Sequence, residues 1–425
     1  MTIEHSDPVA NDTAWVARAY RDNLSSGRAR IAELIGGQVE VASEGAWVTT
    51  IDGEKYLNAG GYGVFITGAR HPVVVGEVQR QLQRHPIGTR MFLEPTAARA
   101  AGMLARIAPE GLERVHFCGS GAEATETAIK IARLSGHRHL ISMHGGYHGK
   151  TLGALSVTAK SLFQDPFRPL LPDVTHIPYN DVPALHAALE RSAGPACVIV
   201  EPVQGEAGVV LPLPGYLHSV RALCSEFGAL LVVDEIQTGL GRLGAWWGSD
   251  LEGIRPDILL SGKALGGGVL PVAAAIATER AYSVLDRDPF LHTSTFSAAP
   301  VAMAAVCGAL IAIEQDGLVE RAALLGAELL SAITDIAVAA LGVQIRQVRG
   351  RGLLIGIEFV DPALAGELLI ELVRRRVIPS HSLNCERVLR LTPPAVMDRD
   401  EVEFLLDRFA QAVTALADRY PHSER

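Results

Sequence analysis

Between about residue 115 and residue 278 the chain alternates short apolar runs with segments of helical period, a rhythm that few architectures accommodate. VHFC precedes EATETAIKIARLSG, HLISM leads into a glycine-rich loop, and CVIVEPV precedes GYLHSVRALCSEFG; ALLVVDE, DILLSG and AAAIAT follow. Continuous short apolar runs are strands buried on both faces, and strands that alternate with helices form βα units. The expected fold class is therefore α/β, a mostly parallel sheet covered by helices. In such a sheet the loops at the carboxyl ends of the strands carry the chemistry.

After Pro300 the rhythm changes. Helical segments cover 299 to 315 and 318 to 340, VRGRGLLIGIEFV reads as a strand, 364 to 376 as a helix, VLRLT as a strand, and a last helix starts at Asp398. This predicts a smaller α+β domain. Near the N-terminus a helix is expected over 14 to 23, and WVTTIDGEKYLNAG reads as a strand pair turned at Asp52-Gly53. The expected division is an N-terminal segment, 1–65, that joins the small domain, a large domain over 66–300, and a small C-terminal domain over 301–425.

The 425 residues carry a formal net charge of -9 without a basic cluster, which argues against a nucleic-acid surface. Arg374, Arg375 and Arg376 read as the solvated end of a helix. Five cysteines, scattered and free of CxxC spacing, indicate neither a disulfide framework nor a zinc site and fit a reducing, cytoplasmic compartment. The opening MTIEHSDPVANDT is polar and acidic, unlike a signal peptide, so the glycosylation matches at Asn11 and Asn23 are read as chance. The stretch 258–278 approaches membrane-spanning length but contains Lys263, three glycines and a proline, and reads as strand, loop, strand.

Three glycine-rich signals compete for a phosphate. GLGRLG at 239 to 244 matches a dinucleotide fingerprint, yet residues 235–239 intervene after the strand and AWWGSD stands where a helix is required. SGKA lacks the first glycine and the Ser/Thr of a P-loop. CGSGAEATETAIK is different: a strand ends in Gly119, Ser120 and Gly121, and a helix begins at about Ala122, so that free backbone amides and the positive helix end face one point.

ALLVVDE ends in Asp234 and DILLSG runs into Lys263. In a parallel sheet both project at the edge that faces the phosphate turn. An acid, a lysine and a phosphate cradle suit pyridoxal 5'-phosphate: lysine bonds to its aldehyde, the carboxylate keeps the ring nitrogen protonated, and amides hold the phosphate.

These residues carry a resemblance. SGAEATETAIKIAR, GGYHGKTLGALSVT, EPVQGEAGV, VVDEIQTGLGRLG, PDILLSGKALGGGVLPVAA, HTSTF and VLRLTPP are similar, in order, to the motifs of the class III (omega) aminotransferases, pyridoxal-phosphate enzymes of fold type I. The resemblance implies Lys263 as the Schiff-base lysine and proton shuttle, Asp234 at the pyridine nitrogen, Gln237 at the 3-oxygen, and Ser120, Gly121 and Ala122 at the phosphate. It also implies Thr295 donating from a neighbouring subunit, Tyr147 on the ring face with His148 beside it, and a homodimer or dimer of dimers. HGGYH is then the cofactor-stacking loop and not a metal pair of His144 and His148.

Substrate recognition is expected at Lys150, which holds the place of an arginine in many members, and at Arg390 and Glu206, which resemble the family's carboxylate-binding arginine and its gate partner. YHGK, PFLHTSTF and GKALGGGVLP look most like the putrescine and diamine aminotransferases. Ser297, Ala298 and Ala299 replace the family's GGN, and Ala122 stands where threonine is frequent. The expected reaction moves an amino group between a primary amine or diamine and a 2-oxo acid by ping-pong halves, without nucleic-acid or membrane partners. The alternatives are a class III enzyme acting on an amino acid, of the ornithine, acetylornithine or GABA type or as an aminomutase or decarboxylase, and, more remotely, an NAD(P)-dependent dehydrogenase.

Overall fold

A computed structural model describes residues 12–420. Asn11 and most of the polar opening segment lie outside the described residues.

In chain order the strands are β1 (Glu40–Glu44), β2 (Trp47–Thr50), β3 (Lys55–Asn58), β4 (Leu112–Cys118), β5 (His139–Met143), β6 (Val174–Ile177), β7 (Ala196–Val200) and β8 (Leu230–Asp234). They continue as β9 (Ile258–Ser261), β10 (Ala273–Thr278), β11 (Ile345–Arg351), β12 (Leu354–Phe359), β13 (Val377–Ile378), β14 (Ser380–His381) and β15 (Val388–Leu391). The central sheet has seven strands in the order β4-β10-β9-β8-β7-β5-β6, parallel except for β10, which runs antiparallel to both neighbours. Every run read as a strand in the alternating region is one; β6, VTHI, was not anticipated because its four residues are too few to show a pattern.

β7, β8 and β9 are buried along their whole length, as central strands covered on both faces must be. Register pairs Asp234 with Leu260, so the end of β8 and the residues just after β9 emerge side by side at the carboxyl edge.

Asp52-Gly53 turns β2 into β3 as expected, with Gly53 at φ 79°. β13 pairs in parallel with β3, Val377 opposite Leu57, which joins the N-terminal strands to the C-terminal region in one sheet. VRGRGLLIGIEFV forms two strands instead of one: β11 and β12 pair antiparallel through Gly352, whose φ of 53° favours glycine. The N-terminal helix also departs from expectation, with Thr13–Ala19 passing through a wide turn, Tyr20–Ser25, into a second helix, Ser26–Leu34.

The arginine run is not merely a solvated helix end. Arg374 and Arg375 fold back on Glu371, which is buried and also takes Arg419 at 2.7 Å, while Arg376 reaches Glu54. The helical span Leu318–Gln344, which contains helix Leu318–Leu341, is long and apolar enough to cross a membrane by length and composition. Its stripe Leu325, Leu329, Ile333, Ala337 and Leu341 belongs to the main core, the spacing of a helix that packs on one face.

Candidate active site

Five elements deliver side chains to one cavity of about 260 Å³ at the carboxyl edge of the central sheet. β8 supplies Asp234 and, in the loop after it, Gln237; the turn after β9 supplies Lys263. The loop after β5 carries Tyr147 and His148, and helix Gly121–Leu134 points its N-terminus at the cavity. The loop after β7 brings Glu206. A second cavity, about 340 Å³, shares Gly121 and Lys263 with the first and extends to Gly119 and Ser120.

Strand alternation explains which acid faces the cavity. Adjacent residues point to opposite sides, so Asp234 lines the pocket while Glu235 turns away and accepts the amides of Gly248 and Ser249 at 2.9 and 2.7 Å. Asp234 Oδ2 stands 2.7 Å from His148 Nδ1, and its Oδ1 accepts the Ile236 amide at 3.1 Å. Burial pulls the His148 pKa down, but the hydrogen bond and charge of Asp234 outweigh it and hold the imidazole above its ordinary value.

Lys263 occupies the left-handed region at φ 46°, which is uncommon for a residue with a Cβ. Burial lowers its pKa, and Glu206, Asp234 and Glu201 oppose the shift. An amine with a lowered pKa spends more of its time as the free base, the form that bonds to an aldehyde.

Ser120 caps helix Gly121–Leu134 by accepting the Glu123 amide at 3.3 Å, and Glu123 takes the Gly119 amide at 2.7 Å. The helix starts at Gly121, one residue before the expected point. The amides of Gly121 and Ala122 are left without a carbonyl in the preceding turn of their own helix. A side chain at Gly121 would displace Ile236, since a Cβ there would stand 2.8 Å from Ile236 Cδ1.

On the other wall Arg390, from β15, is fully buried and lies 2.7 Å from Glu206 Oε1. It also donates to His381 O at 3.1 Å and to Gln237 Oε1 at 3.3 Å. Gln237 Nε2 is buried with no hydrogen-bond partner among the described residues.

The residues present fit a phosphate-bearing aldehyde cofactor with an aromatic nitrogen. There is an amine of lowered pKa, a carboxylate at the far wall, an unpartnered buried amide donor on Gln237 for a ring oxygen, and helix-end amides for a phosphate. The sequence model of the family described as aminotransferase class-III matches residues 38–413. The chain belongs to the class III aminotransferases. It is accordingly a pyridoxal-phosphate enzyme of fold type I.

Solved structures agree. An ornithine aminotransferase from Toxoplasma gondii is 31% identical, with a TM-score of 0.86 over 95% of this chain and 98% of that one. An (S)-enantioselective omega-transaminase from Thermomicrobium roseum is 28% identical, with a TM-score of 0.87 over 96% and 99%. A transaminase from the marine bacterium Virgibacillus is 26% identical, with a TM-score of 0.84 over 90% and 94%.

In a class III aminotransferase the bound cofactor acts as an electron sink for the bond broken at the substrate carbon. Lys263 would hold its aldehyde carbon and, once released, move the proton; Asp234 would face the ring nitrogen, Gln237 the ring oxygen, and Gly121 and Ala122 the phosphate. Of the residues picked from sequence, Ser120, Gly121, Ala122, Tyr147, His148, Lys150, Glu206, Asp234, Gln237 and Lys263 line these cavities, and Arg390 stands behind Glu206. Thr295 does not: it is exposed on the 293–299 loop, outside both cavities. Lys150 is exposed at the rim with its ammonium 3.9 Å from the centroid of the Phe163 ring.

Ser297, a departure from the family pattern, donates from Oγ to Phe117 O at 2.6 Å and so ties that loop to the strand entering the phosphate turn. Sequence reasoning missed Ile236, which packs against Gly121 and Gly262 beneath the cavity, and Glu201, buried beside His148. A signal for Glu201 existed: like Asp234 it is a carboxylate at the end of a wholly apolar run, CVIV. The GLGRLG loop proves to be a brace, with buried Arg242 donating to Pro393 O at 2.6 Å, Leu353 O at 3.2 Å and Gly63 O at 3.3 Å.

Proposed function

We propose that the enzyme moves an amino group between a primary ω-amine, diamines such as putrescine included, and a 2-oxo acid such as 2-oxoglutarate or pyruvate. The observation that carries this reading is the buried Glu206–Arg390 pair at 2.7 Å. While Glu206 neutralises Arg390, the wall presents no free guanidinium, and an amine without a carboxylate enters unopposed. When Glu206 releases it, the same guanidinium offers a bidentate fork to the acid. Lys150, docked on Phe163, is a point charge at the rim and grips a carboxylate less well than an arginine there.

Measuring the two half-reactions separately tests this. Arg390→Ala is expected to slow the 2-oxoglutarate half by 100-fold or more while the amine half keeps its rate within a few-fold; equal losses in both would sink the switch. The likeness to an ornithine aminotransferase favours a second reading, in which the donor is an amino acid with a terminal amine. A donor screen separates the two, since ornithine would then outrun putrescine.

The active form is a homodimer or a dimer of dimers. Met91 and Phe92 are each 84% exposed, Leu93 is fully exposed, and Phe290 and Phe296 are 86% and 69% exposed. Arg90 donates to Ser294 O, so the two segments adjoin, with Thr295 among them. Such a patch supports a second copy as its cover and Thr295 as a contribution to the neighbour's phosphate site. Sedimentation is expected to show no monomer at micromolar concentration. The five unpaired cysteines support a reducing compartment, the cytoplasm.

A further inference from the structure

Along the cavity wall three ionisable side chains are buried together. Asp234 and His148 meet at 2.7 Å with their side chains 4% and 1% exposed, and Glu201, immediately after β7, is buried beyond them. His148 Nε2, the nitrogen turned away from Asp234, has no hydrogen-bond partner among the described residues. The point where a side chain would start on Gly146 is 3.1 Å from that nitrogen and 3.6 Å from Glu201 Oε2, so both atoms face one stretch of backbone. Glu201 is fixed there: its Oε2 accepts the Tyr147 amide at 3.1 Å, and Tyr179 donates to its carbonyl at 3.1 Å.

Asp234 has one negative charge to share between His148 and whatever faces it across the cavity. An imidazolium at 148 takes a large part of it; a neutral imidazole still orients the carboxylate through Nδ1–H but leaves the charge for a ring nitrogen. We propose that Glu201 acts through His148 to set how much of the Asp234 charge reaches the cofactor ring nitrogen, as a positioning residue. The inference rests on the cofactor site described above and is independent of which amine is the donor.

Charge coupling supports the geometry. Burial raises the Glu201 carboxyl to about 8, His148 pulls it down, and Glu201 in turn helps hold His148 up. The charge states of the two are thus coupled, each favouring the ionised form of the other. The other charged groups around them are Lys263 after β9 and Glu206 and Arg390 on the facing wall, and the flanking loops add the neutral phenols of Tyr147 and Tyr179, both held above their ordinary value by burial. His144 and His176 lie on the β5–β6 side, their rings 6.0 Å apart.

A buried acid whose charged form is penalised costs stability and needs a reason to be there. Three readings on ¹⁵N-histidine-labelled enzyme test the reason, with His148→Ala supplying the assignment. In Glu201→Gln the His148 ring nitrogens should titrate about one pH unit lower, with and without cofactor. The pH midpoint of the bound cofactor's visible band should move with it, and the amine half-reaction should speed up several-fold at unchanged KM, because a neutral imidazole leaves more of the Asp234 charge for the ring nitrogen. Melting temperature above pH 6 should hold or rise. Glu201→Asp, keeping the charge, should return the rate and the His148 titration to near their wild-type values. Unchanged His148 signals and band midpoint in both variants would overturn the proposal, as would a loss of rate matched by an equal loss of bound cofactor and melting temperature. Should Glu201→Gln not fold, Glu201→Leu, which also removes the charge, decides: an unshifted His148 titration overturns it.

Discussion

Glu206 Oε1 lies 2.7 Å from the Arg390 guanidinium, although 184 positions separate the two in sequence, and Arg390 is wholly inaccessible to solvent. Glu206 spends its other oxygen on the Leu383 amide at 2.9 Å, so the carboxylate is held from two sides. A buried ion pair of this kind contributes little net stability while intact, but removing one partner strands a charge.

Glu206→Gln should therefore cost about 3 kcal/mol of folding stability, the scale for a broken buried pair. It should also leave Arg390 permanently available, so that the oxo-acid half holds its rate while amines without a carboxylate lose at least tenfold in kcat/KM. Denaturant melts and stopped-flow half-reactions check the two parts.

Lys263→Ala should abolish both half-reactions by several orders of magnitude and remove covalent attachment of the cofactor, read by mass spectrometry after borohydride. The wild-type pH dependence follows from the sign of the shift. Lys263 titrates below its ordinary 10.5 in the folded chain, so between that lowered value and 10.5 the unfolded chain binds more protons. Its contribution to the stability of the cofactor-free protein thus declines as pH falls through that window, and Lys263→Ala should flatten the slope there. An identical slope in the variant would contradict this.

Gly205 lies directly under Gln237, where a methyl group would fall on the amide oxygen. Gly205→Ala should displace Gln237 from both Arg390 and the cavity and weaken cofactor binding about tenfold or more, while the far-UV spectrum stays intact. Fluorescence titration with pyridoxal phosphate measures it.

Glu371 receives Arg374, Arg375 and Arg419, and although burial opposes its charge, these bonds hold its carboxyl down at about 2 against an ordinary 4.5. A depressed carboxyl contributes stability that is present above pH 4.5 and lost as pH falls toward 2. Glu371→Gln should cost about 1–3 kcal/mol at pH 7, reduced by the exposure of the three arginines, and nothing near pH 2. Equal melting temperatures at pH 7 would refute it.

What sequence could reveal depended on how local the cause was. The βα rhythm, the Asp52-Gly53 turn, the Ser120 cap and the shared edge of Asp234 and Lys263 each follow from neighbours along the chain or from one rule of parallel sheets. Arg390 and Glu206 were found only through resemblance, because nothing near VLRLTPP indicates a partner so distant. The Glu371 cluster escaped because burial decides its role, and a charged letter in sequence carries no burial, whereas Glu201 escaped although its place at the end of CVIV marked it. The VRGRG hairpin was merged into one strand because its glycine turn, Gly352, sits inside an otherwise extended run.

The most direct measurement is the absorbance of the cofactor-loaded enzyme before and after putrescine, with no oxo acid present. The expected result is a band at the visible edge that bleaches to shorter wavelength with putrescine and returns when 2-oxoglutarate is added. A band that forms, ignores putrescine and other ω-amines, and bleaches only with amino acids would contradict the proposed donor.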